Sequence, residues 1–141
     1  MPVEIEGGDG VPAFGEIRQL TGQNGMVWDY AVRPDGEMVV FSELTEEMGT
    51  NLWQVPTGGS EPSILMACSP AACSGPSWST DVAFLGFGQR YGSEQSGGIT
   101  NPPRPWMMHV ESGETAALLV DDQELGFDLR WSSDGQWVAY V

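Results

Sequence analysis

The stretch GFDLRWSSDGQWVAYV (residues 126–141) contains two short apolar runs on either side of a Ser-Asp-Gly sequence. An Asp followed by a Gly favours a tight turn, because the Asp side chain can bond nearby backbone N–H groups and Gly tolerates a positive φ. The stretch therefore predicts two antiparallel strands joined by a tight turn. An isolated pair of strands is at best marginally stable in water, so we expect further strands beside it.

The same pattern occurs twice earlier in the chain. WDYAVRPDGEMVVFSE (28–43) has an aromatic residue, an Asp, a strand, an x-x-Asp-Gly turn and a second apolar strand in the same order. A third copy, GPSWSTDVAFLGF (75–87), lacks the Gly of the turn. The three copies align Val32, Trp78 and Trp131 at one position. Such self-similarity indicates a repeat architecture.

A second pattern repeats between these copies. LWQVPTGGSEPSIL (52–65) parallels MMHVESGETAALL (107–119), because each has an apolar strand, a Gly turn and another strand. Near the start, GEIRQL (15–20) matches GETAAL (113–118). Each repeated unit therefore contains four short strands, and four-stranded units at this period are typical of propeller blades.

The combined pattern resembles the TolB-type, WD40-like (PD40) propeller repeat. Its two halves read W-S-x-D-G-x-x-[VI]-A-[FY] and L-W-x-V-x-x-G-G-x-x-x-x-L, and the resemblance covers nearly all of residues 15–141. The resemblance implies an all-β fold: a partial β-propeller with two complete four-stranded blades plus parts of the flanking blades. The matching segments are WSSDGQWVAYV (131–141), RPDGEMVVFSE (33–43) and NLWQVPTGGSEPSIL (51–65).

The repeats also predict the organisation of the 141 residues. We expect an N-terminal extension over 1–14 and a propeller arc over 15–141, with blades at about 26–66 and 75–120 and a partial blade at 127–141. Closed propellers have about four to eight blades, so this arc has too few to close alone. We expect the remaining blades in cis, in a longer propeller, or self-association to complete the ring.

The charge of the chain limits its partners. Twenty acidic and five basic residues give a formal net charge of −15, which repels the phosphates of nucleic acids and anionic membrane surfaces. No apolar stretch is long enough to span a membrane, and the first residues show no export signal. We therefore predict no nucleic-acid partner and no membrane span. The resemblance implies an extracytoplasmic location, periplasmic or secreted, for the parent protein.

Cys68 and Cys73 bracket a short Pro-containing segment between the two predicted blades. In an exported protein this spacing is a candidate disulfide. Two free buried thiols are the alternative. A zinc site would need two further ligands, and the single His of the chain, His109, lies on a strand of the next blade.

The sequence predicts no catalytic residues, no cofactor and no metal. A hydrolytic triad would have to use His109, which lies in an alternating strand pattern. The segment GPSWS (75–79) lacks the second Gly of a nucleophile elbow. An acidic run offers oxygen ligands for calcium but does not match an EF-hand loop. Its acidic residues are Asp121, Asp122, Glu124 and Asp128, of which the last recurs as Asp29 and is expected to bond backbone.

A long insertion in the second blade (86–105) is the candidate partner-binding loop. Its counterpart in the first blade is about half as long, and long loops are often functional or disordered. Arg90, Tyr91 and Arg104 belong to residue types that anchor protein interfaces. The alternative is a flexible Gly/Ser insertion without function. Most Trp residues occupy repeat positions, where we expect core packing to account for them.

These features predict a non-catalytic β-propeller scaffold that binds a protein or peptide partner, similar to TolB-like extracytoplasmic propellers. The alternative is the substrate-gating propeller of a prolyl-oligopeptidase-like serine hydrolase whose catalytic domain is absent from these residues. Fold alone does not distinguish the two, because propellers serve both functions.

Overall fold

A computed structural model describes residues 3–4, 16–22, 25–91, 102–121 and 125–141. Within these ranges the regular structure is entirely β. The described residues include no helix long and apolar enough to cross a lipid bilayer. The strands are β1 (Val3–Glu4), β2 (Glu16–Ile17), β3 (Val27–Val32), β4 (Met38–Leu44), β5 (Thr50–Pro56), β6 (Ser63–Met66), β7 (Ala72–Trp78), β8 (Phe84–Arg90), β9 (Arg104–His109), β10 (Thr115–Ala117), β11 (Arg130–Trp131) and β12 (Val138–Ala139).

Two four-stranded antiparallel units form the centre of the chain. The first blade is β3–β4–β5–β6 and the second is β7–β8–β9–β10, and one parallel bridge between Thr50 and Ala72 joins them. β11 pairs with β12 in a C-terminal half-blade. β1, inside the predicted N-terminal extension, pairs with β2 in an N-terminal pair. The prediction of an all-β chain with two complete four-stranded blades and parts of the flanking blades is confirmed.

The main core lies between the first and the second blade. Val40 and Leu52 of the first blade belong to one buried cluster with Trp78, Leu85 and Met108 of the second blade. Successive residues of a strand point to opposite faces, so each strand contributes alternate residues to this cluster. Burial of one such aliphatic side chain contributes about 2 kcal/mol, which makes the contact between blades the main source of stability.

A second junction holds the half-blade against the second blade. A Cβ at Gly86 would lie 3.0 Å from the Cδ2 atom of Leu129, so the absence of a side chain lets this fully buried Leu approach β8. The indole Nε1 of Trp131 donates a hydrogen bond to the carbonyl oxygen of Ser77 at 3.1 Å. The Trp131 ring also stacks on Phe84, with 6.5 Å between the ring centroids. The half-blade is thus packed in the same sense as a complete blade.

Three equivalent turns join the first two strands of the repeated units. The residue after the turn Asp has a positive φ in each, 75° at Gly36, 64° at Val82 and 71° at Gly135. A β-branched residue is strained at positive φ, so the flanking strands impose this turn on Val82. In each turn the Asp carboxylate accepts a hydrogen bond from the N–H two residues later, and these residues are Asp35, Asp81 and Asp134.

Replacement of Gly36 by Ala tests the contribution of this backbone conformation. A Cβ at Gly36 would meet no atom within 4 Å, so the cost of Gly36→Ala comes from the positive φ alone. We expect the free energy of unfolding in urea to fall by about 1 to 2 kcal/mol. Gly58 also has open space around its Cα, without a positive φ, so Gly58→Ala is the matched control. Equal losses in the two variants would contradict this explanation.

The turn carboxylates make stability depend on pH. The pKa of Asp35, Asp81 and Asp134 is lowered from its usual 3.8, first by a side-chain hydrogen bond from Arg33 or from the Ser two residues earlier, then by the backbone N–H. A folded-state pKa below the unfolded one means that this stabilisation is complete above about pH 5 and is lost as the pH falls through the unfolded and then the folded pKa.

We therefore expect the urea midpoint of the wild-type chain to fall between about pH 5 and pH 2. The double variant Asp81→Asn, Asp134→Asn should show a shallower fall, because an amide does not titrate yet still supports this kind of turn. Unfolding curves at a series of pH values give the comparison. Superimposable pH profiles for the two proteins would rule out the role of these carboxylates.

Candidate functional site

A cavity of about 580 Å³ opens where the first strands of the repeated units begin. Three pairs of repeat-equivalent residues line it, Trp28 with Asp29, Ser74 with Gly75, and Phe127 with Asp128. The repeats place equivalent residues at corresponding ends of their first strands, so the same position of each unit converges on the cavity. The other lining residues are Leu44, Met48, Thr50, Ala72, Arg90 and Pro103.

Both complete blades have an irregular register beside the cavity. The irregularity lies between Val27 and Asp29 in β3, and between Ser74 and Ser77 in β7. A bulge bends its strand and changes the direction of a side chain, and bulges are common next to functional sites. Trp28 lies in the first bulge, and its side chain is 67% exposed at the cavity.

Asp29 joins the two blades at the floor of the cavity. One carboxylate oxygen accepts a hydrogen bond from the backbone N–H of Gly75 at 2.6 Å, across the junction. The other oxygen accepts a hydrogen bond from the hydroxyl of Ser42, which is fully buried. Asp29 therefore bonds a backbone group, as expected for the repeated Asp, although this N–H belongs to the following blade.

Asp128, the repeat equivalent of Asp29, has a different environment. Its carboxylate forms an ion pair with Arg130 at 2.7 Å, and both side chains are largely exposed to solvent. Its φ of 55° is a conformation that Asp tolerates better than most residues. The Asp29 carboxylate therefore joins the two blades, whereas the Asp128 carboxylate is paired with Arg130 at the surface.

The paired variants Asp29→Asn and Asp128→Asn separate these two roles. We expect Asp29→Asn to lower the free energy of unfolding by about 1 to 2 kcal/mol, because charge-assisted hydrogen bonds become weaker neutral ones. Asp128→Asn removes an exposed ion pair and should cost less than about 1 kcal/mol. Urea unfolding measures both, and an equal loss in the two variants would show that Asp29 does not join the blades.

The residues of the candidate partner-binding loop divide between two adjacent cavities. Arg90 ends β8 and lines the larger cavity. Tyr91 and Arg104 line a smaller one of about 290 Å³, with Gln89 and Leu125. Most of the predicted insertion, residues 92–101, lies outside the described residues. Tyr91 Oη donates a hydrogen bond to Gln89 Oε1 at 3.1 Å. The structure thus places residues from both ends of the insertion at these two cavities.

Arg90 and Arg104 differ from Arg33 and Arg130 in the partners of their side chains. Within the described ranges, the side chains of Arg90 and Arg104 make no hydrogen bond or ion pair, whereas Arg130 is paired with Asp128. Arg33, which follows β3, is likewise paired with the carboxylates of Asp35 and Glu37. The guanidinium of Arg90 is thus available to an acceptor in the larger cavity.

Cys68 and Cys73 form a disulfide in the segment between β6 and β7. The enclosed loop is anchored further, because Asn51 Oδ1 accepts hydrogen bonds from the N–H groups of Cys68 and Ser69 at 2.9 and 3.0 Å. Thr50 lines the cavity, and its Oγ1 donates to the carbonyl oxygen of Cys73 at 2.6 Å. This network holds one wall of the cavity in place.

The contacts of the single histidine within the described residues are local. His109 Nδ1 lies 3.0 Å from the hydroxyl of Ser112, which also accepts the N–H of Glu114. The Glu114 carboxylate contacts Ser112 and not the imidazole, so it does not orient a base as the acid of a triad does. These contacts instead close the turn after β9. Ser79, in the segment compared with a nucleophile elbow, bonds Asp81 and the N–H of Phe84.

The acidic run does not form a site in the described part of the chain. Asp122 and Glu124 lie outside the described residues. Among the residues that the structure describes, no group of three or more His, Cys, Asp or Glu side chains could hold a metal. Exposed aromatic rings, aliphatic side chains and the guanidinium of Arg90 line the larger cavity.

Sequence reasoning missed the aromatic part of the cavity. We expected core packing to account for most Trp residues, and Trp78 is buried in this way. For Trp28 and Trp137 that expectation is wrong, since 67% and 73% of their surfaces are exposed. The aromatic residue that begins two of the repeats, Trp28 and Phe127, was the available signal, but no sequence pattern predicts the bulge in which Trp28 lies.

Comparison with known proteins defines the class of this chain. No family model matches the sequence, and no curated protein matches it. A TolB candidate from Agrobacterium tumefaciens has a structure that matches 79% of this chain, with a TM-score of 0.59 and 20% identity. The tricorn protease matches 84% of the chain, with a TM-score of 0.66 and 14% identity.

Both similar structures contain β-propellers, so this chain has the fold of a partial β-propeller. The chain spans 36% of the length of the TolB candidate and 11% of the tricorn protease chain. At these identities the likeness concerns the fold. Membership of the PD40 repeat family in particular stays a prediction.

Proposed function

We propose that this chain is a non-catalytic β-propeller scaffold that binds a protein or peptide partner over the larger cavity. The observation that supports it most is a cavity of about 580 Å³ lined by exposed Trp28 and Phe127 and by Arg90, whose side chain has no partner within the described ranges. Aromatic and Arg side chains supply most hot spots of protein interfaces. Binding pockets of this size typically combine apolar walls with a few polar groups.

The chemistry of the wall indicates what the partner presents. Leu44, Met48 and Phe127 favour an apolar side chain, while Arg90 favours an acceptor oxygen, either a backbone carbonyl or a carboxylate. Tyr91 and Arg104 extend the same surface into the smaller cavity. The partner segment therefore carries an apolar anchor beside an acceptor group.

The cavity is also preorganised. Its walls come from strand ends, from the Asp29 contact between blades and from the loop closed by the Cys68–Cys73 disulfide. A rigid site loses little conformational freedom on binding, which raises affinity for a given set of contacts. The disulfide also supports an extracytoplasmic location, since disulfides persist mainly in oxidising compartments.

Selection of peptides from a random phage-displayed library on the immobilised wild-type chain tests this proposal. We expect selected peptides to bind at least about tenfold more weakly to Trp28→Ala and to Arg90→Ala, because each replaces an interface anchor. Arg33→Ala is the control, because it removes a basic side chain that does not line the cavity. This variant should bind the selected peptides as the wild type does. Urea unfolding of each variant checks that the fold is retained.

Two results would refute the proposal. One is a selection that enriches no peptide on the wild-type chain. The other is a set of peptides whose affinity for Trp28→Ala and Arg90→Ala equals that for Arg33→Ala, since binding would then occur elsewhere.

The likeness to the tricorn protease supports a second candidate. In this alternative the chain is the substrate-gating propeller of a serine hydrolase whose catalytic residues lie elsewhere in the parent protein. The cavity would then contact a passing substrate rather than a resident partner. The gene sequence after the codon of Val141 distinguishes the two: a G-x-S-x-G pattern with later Asp and His favours the hydrolase, and further propeller repeats without it favour the scaffold.

A further inference from the structure

The turn that joins β4 to β5 presents Met48 to the larger cavity. Two hydrogen bonds close the turn, from Met48 N–H to the Thr45 carbonyl oxygen at 3.1 Å and from Thr45 N–H to the Gly49 carbonyl oxygen at 2.9 Å. Met48 lines the cavity, and 62% of its surface is exposed. Its side chain is therefore accessible to a segment that binds there.

The backbone of Met48 has a conformation that side chains rarely adopt. Its φ is 63°, in the left-handed region where hairpin turns usually place Gly. Three non-Gly residues within the described ranges have a positive φ, and two of them, Met48 and Asp128, line the larger cavity. Residues held in such conformations cluster at ligand-binding sites, and they persist only where the surrounding structure holds them. The conformation of Met48 thus suggests a role at the cavity.

The disulfide loop, residues 68–73, contacts the Met48 turn through side chains. Ser69 Oγ lies 2.9 Å from Thr45 Oγ1, and it donates a hydrogen bond to Glu47 Oε2 at 3.2 Å. Both partners of Ser69 belong to the turn. These contacts hold the residues that precede Met48.

The backbones of the turn and of the disulfide loop are also in direct contact. A Cβ at Gly49 would lie 2.6 Å from the Ala71 carbonyl oxygen, so a side chain does not fit at this place. The next residue, Thr50, donates its N–H to the same carbonyl oxygen at 3.1 Å. The disulfide anchors this loop in the core, since Cys73 is fully buried. The backbone contacts thus connect the position of Met48 to the disulfide.

We infer that Met48 sets the size of the apolar side chain that the larger cavity accepts, and that the disulfide loop positions Met48 for this role. The role rests on the proposed function, because it concerns the apolar anchor of the bound partner. Trp28 and Phe127 offer rigid rings, whereas Met has three rotatable side-chain bonds and fills irregular gaps. Met48 is thus the lining residue that adapts to the anchor, and its truncation enlarges the cavity.

Peptides selected on the wild-type chain test this role when their apolar anchor is varied. One selected peptide is made with Leu and with Trp at its anchor, and the ratio of the two Kd values is measured. We expect Met48→Ala to shift this ratio in favour of Trp by at least about tenfold, because the enlarged cavity accommodates the larger side chain. Met48→Leu nearly conserves the volume and should keep the wild-type ratio.

Variants of the disulfide loop and of the turn test the positioning. In the double variant Cys68→Ser, Cys73→Ser, the further change Met48→Ala should shift the ratio by less than about twofold, because Met48 no longer has a fixed position to lose. Gly49→Ala should remove the effect of Met48→Ala in the same way, because its Cβ displaces the turn while the disulfide stays intact. Gly58→Ala, whose Cβ would meet no atom within 4 Å, is the matched control and should leave the shift unchanged.

Urea unfolding of each variant confirms that the fold is retained, and Gly49→Ala still tests the positioning if the variant without the cysteines does not fold. Two results would overturn this inference alone. One is a set of peptides that depends on Trp28 and Arg90 but has the same ratio on Met48→Ala as on the wild type. The other is a shift of the same size with and without the contacts to the disulfide loop, since Met48 would then be positioned without them. Peptides whose binding does not depend on Trp28 and Arg90 would instead overturn the proposed function, and this inference with it.

Discussion

The apolar contact between consecutive blades is the constraint on which the rest of this structure depends. A single four-stranded unit has two faces and cannot bury both alone, so Val40 and Leu52 of the first blade need Trp78 and Leu85 of the second. Hydrogen bonds add to this packing at each junction: Gly75 N–H and Thr50 Oγ1 donate to Asp29 and to the Cys73 carbonyl in one, and Trp131 Nε1 donates to the Ser77 carbonyl in the other. Apolar burial supplies the stability, and these hydrogen bonds define the register between blades.

The cavity is a consequence of this stacking. Because the blades are copies of one unit, the same position of each first strand lies at the same end of the arc, and Trp28, Gly75 and Phe127 meet there. The bulge in β3 exposes an aromatic ring that a regular strand would direct differently. The repeated unit thus forms a cavity where its copies converge, and Arg90, at the end of β8, lines it.

The same stacking determines which equivalent residues are covered. Leu129 is fully buried against the second blade, whereas 69% of the surface of Tyr30, its equivalent in the first blade, is exposed. The difference lies in what packs on each residue and not in its place in the repeat.

The sequence by itself determined the strands, the turns and their repetition. Alternating apolar residues and Asp-Gly pairs act over a few neighbouring residues, so local preference was enough to predict the hairpins around Gly36 and Gly135. It also placed Arg90, Tyr91 and Arg104 in a single insertion, and the structure locates all three at adjoining cavities.

Tertiary structure alone decided which equivalent residues are covered and which form a site. Val82 adopts the turn of its neighbours without the Gly that the turn favours, because the strands on both sides hold it there. Trp78 is buried while Trp28 is exposed, and Asp29 joins two blades while Asp128 pairs with Arg130 at the surface. These differences arise from contacts between residues far apart in the chain, and such contacts leave no trace in a local pattern.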